Sequence, residues 1–499
     1  MLHGQTDPNV LRPDNVSRET FNERSGPACR LASGLALSPS ALPLDQLLVD
    51  RLGSGHVYSV GGRVRDEVLA DLGRGGVMSP DADYLILSVP YDEIVQRLTG
   101  LGSVELVGAS FGVIKFTRAG HTVDIALPRR ERSTGPHHRD FSVESAPDIP
   151  IEDDLRRRDF RINMMARDLA SGMLIDPYGG REDLLKQRLD IVADETFVED
   201  PLRILRGAHF AARFDLAPSD RTLAAMREAA HLVNSIAPER IADELRKLLT
   251  KAARPSVGFE LLRSVGALNE IMPELMQGWD VEQNEFHRHT VYYHALYACD
   301  AARPDLVVRL AALLHDIGKP ATKSGSHFYR HEFVGEDMAR ALLTRLRFPG
   351  EVIARVAHLI RHHMFASDDG LTDAAVRRFI NRVGAEHVET FFALRRADIV
   401  ASGLPERSPA ELERFRARVH QQLAGPSVFG IDRLRIDGAG VIAVMRELKL
   451  VDERFTGDAR VGAVLRHCLE CVLEDPAKNE AEQLRAIARA FLVQEAGKG

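Results

Sequence analysis

The sequence predicts an α/β head, a mixed sheet with helices, followed by an all-α C-terminal two-thirds in a multidomain chain. Three observations predict it. At 499 residues the chain is too long for one ordinary core, and roughly 150 residues per domain gives about three. Between about residues 56 and 127, short β-rich runs alternate with helical stretches. After about residue 195 the apolar spacing becomes that of packed amphipathic helices and mostly stays so to the end.

Residues 1–40 are polar, rich in Ser, Pro, Asn and Gly, and read as a mobile leader. Residues 41–195 form the expected head, with strands at HVYSV, YLILSV, VELVG, GVIKFT and TVDIAL and helices after Arg65 and around DEIVQRLTGLG. The connection PRRERSTGPHHRDFSVESAPDIP is long enough to be either disordered or a working loop. Residues 196–280 read as a helical neck, 281–400 as a second functional domain, and 401–499 as a helical tail without a charged binding face. No fixed-period repeat is visible.

Composition narrows the function classes. With 44% hydrophobic and 27% charged residues the chain can bury ample core, which excludes collagen-like and disordered acidic classes. No run of about 18 uncharged apolar residues occurs, and the N-terminus lacks the features of a signal peptide, so a cytoplasmic protein without a membrane partner is expected. Four cysteines are too few and scattered for a disulfide framework; Cys468 and Cys471 have metal-knuckle spacing but no second pair, and read as buried thiols. The net charge of -7 does not advertise nucleic-acid binding, although residues 200–256 carry ten basic against seven acidic side chains.

The first chemical constellation is Gly61-Gly62-Arg63-Val64-Arg65-Asp66 between a strand and a helix. Two glycines let the backbone approach a ligand, and a helix N-terminus suits phosphate. Asp81-Ala82-Asp83 follows at the head of the next strand, where residues two apart face one side and can hold the same divalent ions. Asp124 sits inside a later strand, where an unpaired buried charge would be expensive. Three convergent carboxylates beside a phosphate-cradling turn are the parts of a two-metal phosphoryl-transfer site.

These residues resemble the tRNA nucleotidyltransferase and poly(A) polymerase family, which includes the bacterial CCA-adding enzymes (class II). The resemblance extends through Arg157-Arg158-Asp159-Phe160-Arg161-Ile162-Asn163-Met164-Met165, Asp176-Pro177-Tyr178-Gly179-Gly180, Glu199-Asp200-Pro201-Leu202-Arg203 and Glu239-Arg240-Ile241-Ala242-Asp243-Glu244-Leu245, over roughly residues 55–490. It implies addition of CMP and AMP from CTP and ATP to the 3′ end of tRNA, with Mg²⁺ at Asp81, Asp83 and Asp124. By the same likeness Gly61, Gly62 and Arg65 attend the triphosphate, Arg158 and Asp159 contact phosphate and ribose, and Asn163 and Arg206 complete the nucleotide site. Two departures stand out. Arg161 and Met164 replace the usual Thr and Ala, and Asp190 stands where an Arg is common. The first is expected to disturb contacts near Arg158 and Asp159.

Asp200 and Arg203 carry two readings. Three apart on a helix, they share a face, and a carboxylate plus a guanidinium matches the amino donor and ring-nitrogen acceptor that cytosine and adenine present together. Equally, Pro201 looks like a first helical residue, which makes Asp200 an N-cap. The resemblance favours base recognition.

The second constellation is Leu313-Leu314-His315-Asp316-Ile317-Gly318-Lys319, an HD pair at the end of an apolar helix. His and Asp adjacent in a helix cannot share a face, but at its end both can reach one ion. With His294, His331, His363 and Asp398 the order resembles the HD metal-dependent phosphohydrolase superfamily. That likeness implies one metal at His294, His315, Asp316 and Asp398 and a second at His331 and His363 through a bridging Asp316. An imidazole and carboxylate set favours Mn, Co, Ni or Fe over calcium. His358 and His362 read as surface or packing residues, with His362 the alternative to His363. Rival readings are a poly(A) polymerase, a CC-only or A-only tRNA nucleotidyltransferase, an HD phosphohydrolase with a degenerate head, and a non-catalytic RNA binder.

Overall fold

The structure, a computed structural model, describes residues 42–74, 82–107, 112–133, 141–404, 408–425 and 427–496. The leader expected over residues 1–40, and Asp81, lie outside them. The head is built on seven strands: β1 (Val57–Val60), β2 (Asp83–Ile86), β3 (Ser103–Val107), β4 (Val113–Arg118), β5 (His121–Ala126), β6 (Ala166–Asp168) and β7 (Leu174–Ile175). They lie in the order β3-β4-β5-β2-β1-β6-β7, with β2 and β5 parallel and every other neighbouring pair antiparallel. All five expected runs are strands; β6 and β7 are too short to show a period of two. Helices Pro43–Leu52 and Tyr91–Leu98 cover one face, burying Leu48, Ile94 and Leu98 against Ile86, Phe116 and Ile125.

The Gly/Pro/His-rich connection contains an antiparallel hairpin, Arg129–Ser133 with Phe141–Ser145; residues 134–140 lie outside the described ones. Its ends are paired strands and so differ from the disordered reading.

Helix Gly62–Asp71 sends Val64 and Val68 to the other side, into a core that continues through Phe160, Leu205, Phe259 and Leu310 to Phe391. Head helix, neck and the second helical domain therefore share one apolar interior. Within it, helix Leu306–Leu314 starts at Asp305, whose carboxylate accepts from the Val308 N–H, and carries a buried arginine, Arg309. Its Nη1 donates to the carbonyls of Leu249 (2.6 Å) and Ala252 (2.7 Å) at the C-terminal end of neck helix Pro238–Lys251. Those carbonyls have no partner within their own helix, and the guanidinium satisfies them.

Helix Ala410–Ala424 also packs Leu412, Phe415 and Val419 into this core. The tail's own core, from Ile436 to Leu492, begins beyond that helix and not at residue 401 as expected. It buries Cys468; Cys471 Sγ lies 3.8 Å from His467 Nε2, and both thiols are free. Among the described residues no helix is long and apolar enough to cross a membrane.

Candidate functional site

The diglycine turn works because of its backbone. Gly61 has φ +73°, and a Cβ there would sit 2.9 Å from Arg158 Nη1 and 3.7 Å from Asp83 Oδ2. Only glycine lets the guanidinium and the carboxylate close over the turn together. Arg158 and its neighbour Arg157 are held from behind by the fully buried Asp154, at 3.1 and 2.9 Å. Sequence reasoning had missed Asp154, which sits in an acidic run resembling a solvated helix start.

Asp83 and Asp124 are direct partners in the parallel β2/β5 ladder, so their side chains project from the same face. Contrary to expectation Asp124 is not buried. Its side chain is 47% exposed, with Lys115 Nζ 3.9 Å away. Like charges directly opposite each other destabilise a sheet, and a divalent cation between them removes that penalty. The donor set thus fits a hard cation.

A cleft of about 400 Å³ runs from Gly61, Gly62 and Asp83 across Arg158 to the neck residues Asp200 and Arg203. Asp159, Asn163 and Arg206 also line it, but as a bonded set. Asp159 Oδ2 accepts from Arg206 Nε (2.7 Å), and Oδ1 accepts from Asn163 Nδ2 (2.8 Å) and the Phe160 N–H (2.9 Å). Burial alone would raise the Asp159 pKa, but Arg206 and these hydrogen bonds outweigh it and hold it below the carboxylate range. Arg65 is buried too, donating to Asn163 Oδ1 (2.7 Å) and Asp66 Oδ1 and lying 4.4 Å from the Phe214 ring centroid. It supports the turn from within the protein. Arg206 also faces Glu244 of the neck (3.7 Å), which Lys247 contacts at 2.6 Å. Burial opposes ionisation of Glu244, yet His209, Lys247 and Arg206 bring its pKa down to about 2.

Asp200 and Arg203 send their side chains to different partners and are joined through the backbone, the Arg203 N–H donating to the Asp200 carbonyl at 3.0 Å. Helix Leu202–Phe214 begins after Pro201, and Asp200 is extended, its Oδ1 accepting from the Leu202 N–H at 3.2 Å. It therefore caps the helix, while its Oδ2 meets Arg240 at 3.1 Å. Arg203 donates to Glu199 Oε2 (3.0 Å) and to the Thr196 and Arg157 carbonyls. The expected single helical face is corrected to two residues flanking a helix start, both lining the cleft. Arg161 does not disturb Arg158 or Asp159, as had been expected; its guanidinium turns to Asp183 (3.1 Å) and Asp190 (3.3 Å).

The second site gathers His294, His315, Asp316, His331, His363 and Asp398, all buried. Four imidazoles are anchored alike, each Nδ1 facing a backbone carbonyl: Ala401 for His294, Ala312 for His315, Phe328 for His331 and Ile360 for His363. An acceptor at Nδ1 keeps the proton there and leaves Nε2 a lone pair. These lone pairs converge, His294 on His315 at 3.2 Å and His331 on His363 at 3.2 Å. Such pairs repel unless a cation lies between them, so the donor chemistry fits a metal at each. Asp316 serves both: Oδ2 lies 3.2 Å from His315 Nε2, and Oδ1 lies 3.4 Å from His331 Nε2 and 3.9 Å from His363 Nε2. Asp398 Oδ1 completes the first group, 3.1 Å from His294 Nε2. Burial opposes charge on Asp316, but Lys319, with its Nζ 2.7 Å from Oδ2, helps hold it well below the carboxylate range. Burial brings the His363 imidazole down to about 3. His362 instead packs its ring against His358.

Residues 57–190 match the Poly A polymerase head domain family, 215–278 the probable RNA and SrmB-binding site of polymerase A, and 287–398 the HD domain. The multifunctional CCA protein of Aromatoleum aromaticum is 40% identical over 321 residues, 62% of this chain and 74% of that protein. Its counterpart in Nitrosococcus oceani is 36% identical over 379 residues, covering 72% and 88%. The chain belongs to the multifunctional CCA protein family.

The solved CCA-adding enzymes agree in fold. That of Bacillus stearothermophilus, in complex with CTP, aligns with TM-score 0.66 at 20% identity over 91% of this chain and 98% of that one. That of Thermotoga maritima, complexed with tRNA, aligns with TM-score 0.53 at 19% identity over 91% and 97%. Membership in the multifunctional CCA family brings divalent-metal dependence to both sites. Beyond Asp154, sequence reasoning had missed Lys319, whose Nζ is 2.7 Å from Asp316 Oδ2, Arg395, 2.7 Å from Asp398 Oδ2, and His287, which joins His294 and Asp316 in a third possible metal group. The lysine directly after HDIG was the available signal.

Proposed function

We propose that this chain adds CMP and AMP, from CTP and ATP and without a nucleic-acid template, to the 3′ end of tRNA, building or repairing CCA and releasing pyrophosphate. The observation that carries the reading is the in-register Asp83–Asp124 pair beside a glycine turn, with Asp83 lining a cleft that the neck completes. Asp81, Asp83 and Asp124 would hold two Mg²⁺ ions, whose chemistry is activation of the attacking hydroxyl and neutralisation of the triphosphate. Gly61 and Gly62 offer free backbone N–H groups to the phosphates, and Arg158 supplies the cation. Asp159, Asn163 and Arg206, already bonded together, present a fixed polar wall to the ribose. Asp200 and Arg203 offer a carboxylate and a guanidinium to the pairing edge that cytosine and adenine have in common. Roughly, residues 41–195 supply the phosphoryl-transfer chemistry, 196–280 nucleotide choice and RNA contact, and the C-terminal helices support for the RNA. Such a protein belongs in the cytoplasm.

The test is extension of tRNA transcripts ending before the CCA, after its first C and after its second C, each with CTP, ATP, GTP or UTP alone. CCA addition gives C on the first two and A on the third. A long A tail indicates poly(A) synthesis, single-step products indicate a CC-only or A-only enzyme, and no incorporation sinks the reading.

A second activity is favoured by the converging imidazole lone pairs of the HD site. With Mn, Co, Ni or Fe bound, it would hydrolyse a phosphomonoester or a 2′,3′-cyclic phosphate. Release of phosphate or ring opening by the intact chain, abolished by His315→Ala but not by Asp83→Asn, is the expected result.

A further inference from the structure

Asp83 meets the diglycine turn on the cleft side of the sheet. On the other side the same two segments meet again, through buried polar groups. Tyr84 directly follows Asp83 in β2, so it points to the opposite face, where it is buried with Leu48, Ile86 and Phe116. Its hydroxyl donates to Asp45 Oδ1 at 2.6 Å. Arg63 directly follows Gly62 and is buried as well. Its Nη1 donates to the same Asp45 oxygen at 2.8 Å and its Nη2 to Asp45 Oδ2 at 2.5 Å, a two-pronged contact, while its Nε donates to Glu67 at 3.1 Å. Asp45 lies in the first turn of helix Pro43–Leu52 and is 7% exposed. One carboxylate thus joins the residue after the diglycine to the residue after Asp83. A buried ion pair is seldom the most stable filling for such a space, because apolar side chains of similar volume close it as well or better. What it does fix is registry, since both prongs and the tyrosine hydroxyl are satisfied together at one relative placement of turn, strand and helix. That placement is a close one on the cleft side, with Asp83 Oδ2 3.7 Å from where a Gly61 Cβ would stand.

We propose that Asp45 is a positioning residue for nucleotidyl transfer: it holds the phosphate-cradling turn through Arg63, and the strand of Asp83 through Tyr84, at the spacing that a metal-bound triphosphate requires. The inference rests on the reading of the head as a nucleotidyltransferase and adds to it a residue on the far side of the sheet from the substrate. Without the clamp the turn and Asp83 are both still present, but a shift of about 1 Å between them is enough to cost about a hundredfold in rate.

The full-length chain and three variants are assayed at 25 °C for addition of one C to tRNA ending before the CCA, over a range of Mg²⁺ concentrations, and their melting temperatures are measured. Tyr84→Phe keeps the ring and removes the hydroxyl. Asp45→Leu combined with Arg63→Met replaces the ion pair by apolar side chains. Leu48→Ala opens a cavity in the same core and leaves the clamp intact. The first two are expected to lower kcat about tenfold and to raise the Mg²⁺ concentration for half-maximal rate, while melting within about 4 °C of the parent. Leu48→Ala is expected to melt lower than Tyr84→Phe and to keep the parent kcat and Mg²⁺ dependence. Parent values of both quantities in Tyr84→Phe, or a loss of kcat that simply follows the loss of melting temperature across the variants, overturns the inference; Tyr84→Phe decides alone if the double variant does not fold. If the parent adds no nucleotide, the nucleotidyltransferase reading fails, and calorimetric titration with a non-hydrolysable CTP analogue and Mg²⁺ decides the clamp. Weaker binding by Tyr84→Phe than by Leu48→Ala supports it, and equal affinities, or no binding by the parent, overturn it.

Discussion

Arg161 Nη1 lies 3.3 Å from Asp190 Oδ2, and the Arg161 backbone N–H donates to the Asp190 carbonyl at 2.9 Å. These are two of the positions at which the chain departs from its motif pattern, and they are bonded to each other. A cation has appeared where Thr is usual and a carboxylate where Arg is usual, so the charge has changed sides within one contact. Asp190 Oδ1 also accepts from Ser219 and Thr222, and Arg161 shares the buried Asp183 with Arg188. The cluster fastens the Arg158-Asp159 block to the start of the neck.

The pair should behave as a unit. Asp190→Arg alone sets two guanidiniums against each other, and Arg161→Thr alone removes one of two cations from Asp183; each is expected to cost about 2–4 kcal/mol. The double variant restores a cation for Asp183 and should lie within about 1 kcal/mol of the parent. Urea denaturation of the four proteins measures this, and additive losses in the double variant would refute the coupling.

Removing the carboxylate pair should stop nucleotide addition without unfolding the head. Asp83→Asn and Asp124→Asn each relieve like-charge repulsion across β2 and β5, so melting temperature is expected to hold or rise, while incorporation into tRNA falls at least about a thousandfold. Loss of both activity and fold would mean the carboxylates are structural.

Asn and Ala separate the helix-end contact of Asp200 from its proposed base contact. Asn keeps an oxygen for the Leu202 N–H, whereas Ala loses it and about 1 kcal/mol of stability. If Asp200 also reads the base, Asp200→Asn retains stability but shifts incorporation away from CTP and ATP, measured by single-nucleotide extension. An unchanged nucleotide preference in Asp200→Asn would leave only the cap.

Glu244 gives a signature in acid. Its pKa is ordinarily near 4.5 and is about 2 in the folded chain, so the ionised form is stabilised by folding. That stability is fully present above about pH 4.5 and is lost as pH falls toward 2, up to about 3 kcal/mol. Glu244→Gln should therefore flatten the fall in stability between those pH values, followed by denaturant titration at each pH. A parallel curve would show that Arg206 and Lys247 do not need this carboxylate.

Metal content should follow the division of the HD ligands. His331→Ala is expected to lower bound metal from two ions per chain to one, and Asp316→Ala, which removes a ligand from both groups, to lower it further. Elemental analysis after dialysis reads this directly, and equal losses in the two variants would argue against a bridging Asp316.

Much of this was legible in the sequence. β4 and β5 alternate clearly while β1 and β2 are short apolar runs, the diglycine turn sits between strand and helix, and the ordered His and Asp positions do converge. What was hidden depends on partners far apart in the chain. Asp154 reads as one of several acids at a helix start, and only packing shows it buried beneath Arg157 and Arg158. Asp124 lies in an apolar strand, yet it alternates with the buried Val123 and Ile125 and so faces the open side of the sheet, a period-two signal that its apolar neighbours obscured. Asp200 was open to two interpretations because the same residue types cap helices and recognise bases.

Arg309 ties the end of neck helix Pro238–Lys251 to the helix that delivers His315 and Asp316. The two chemistries consequently sit on a common chassis and are not beads on a string. A chain cut before residue 287 would strand the Leu249 and Ala252 carbonyls and bare the apolar floor beneath the neck. Anyone wishing to trim this protein to its head and neck must first rebuild the seat on which helix Pro238–Lys251 rests.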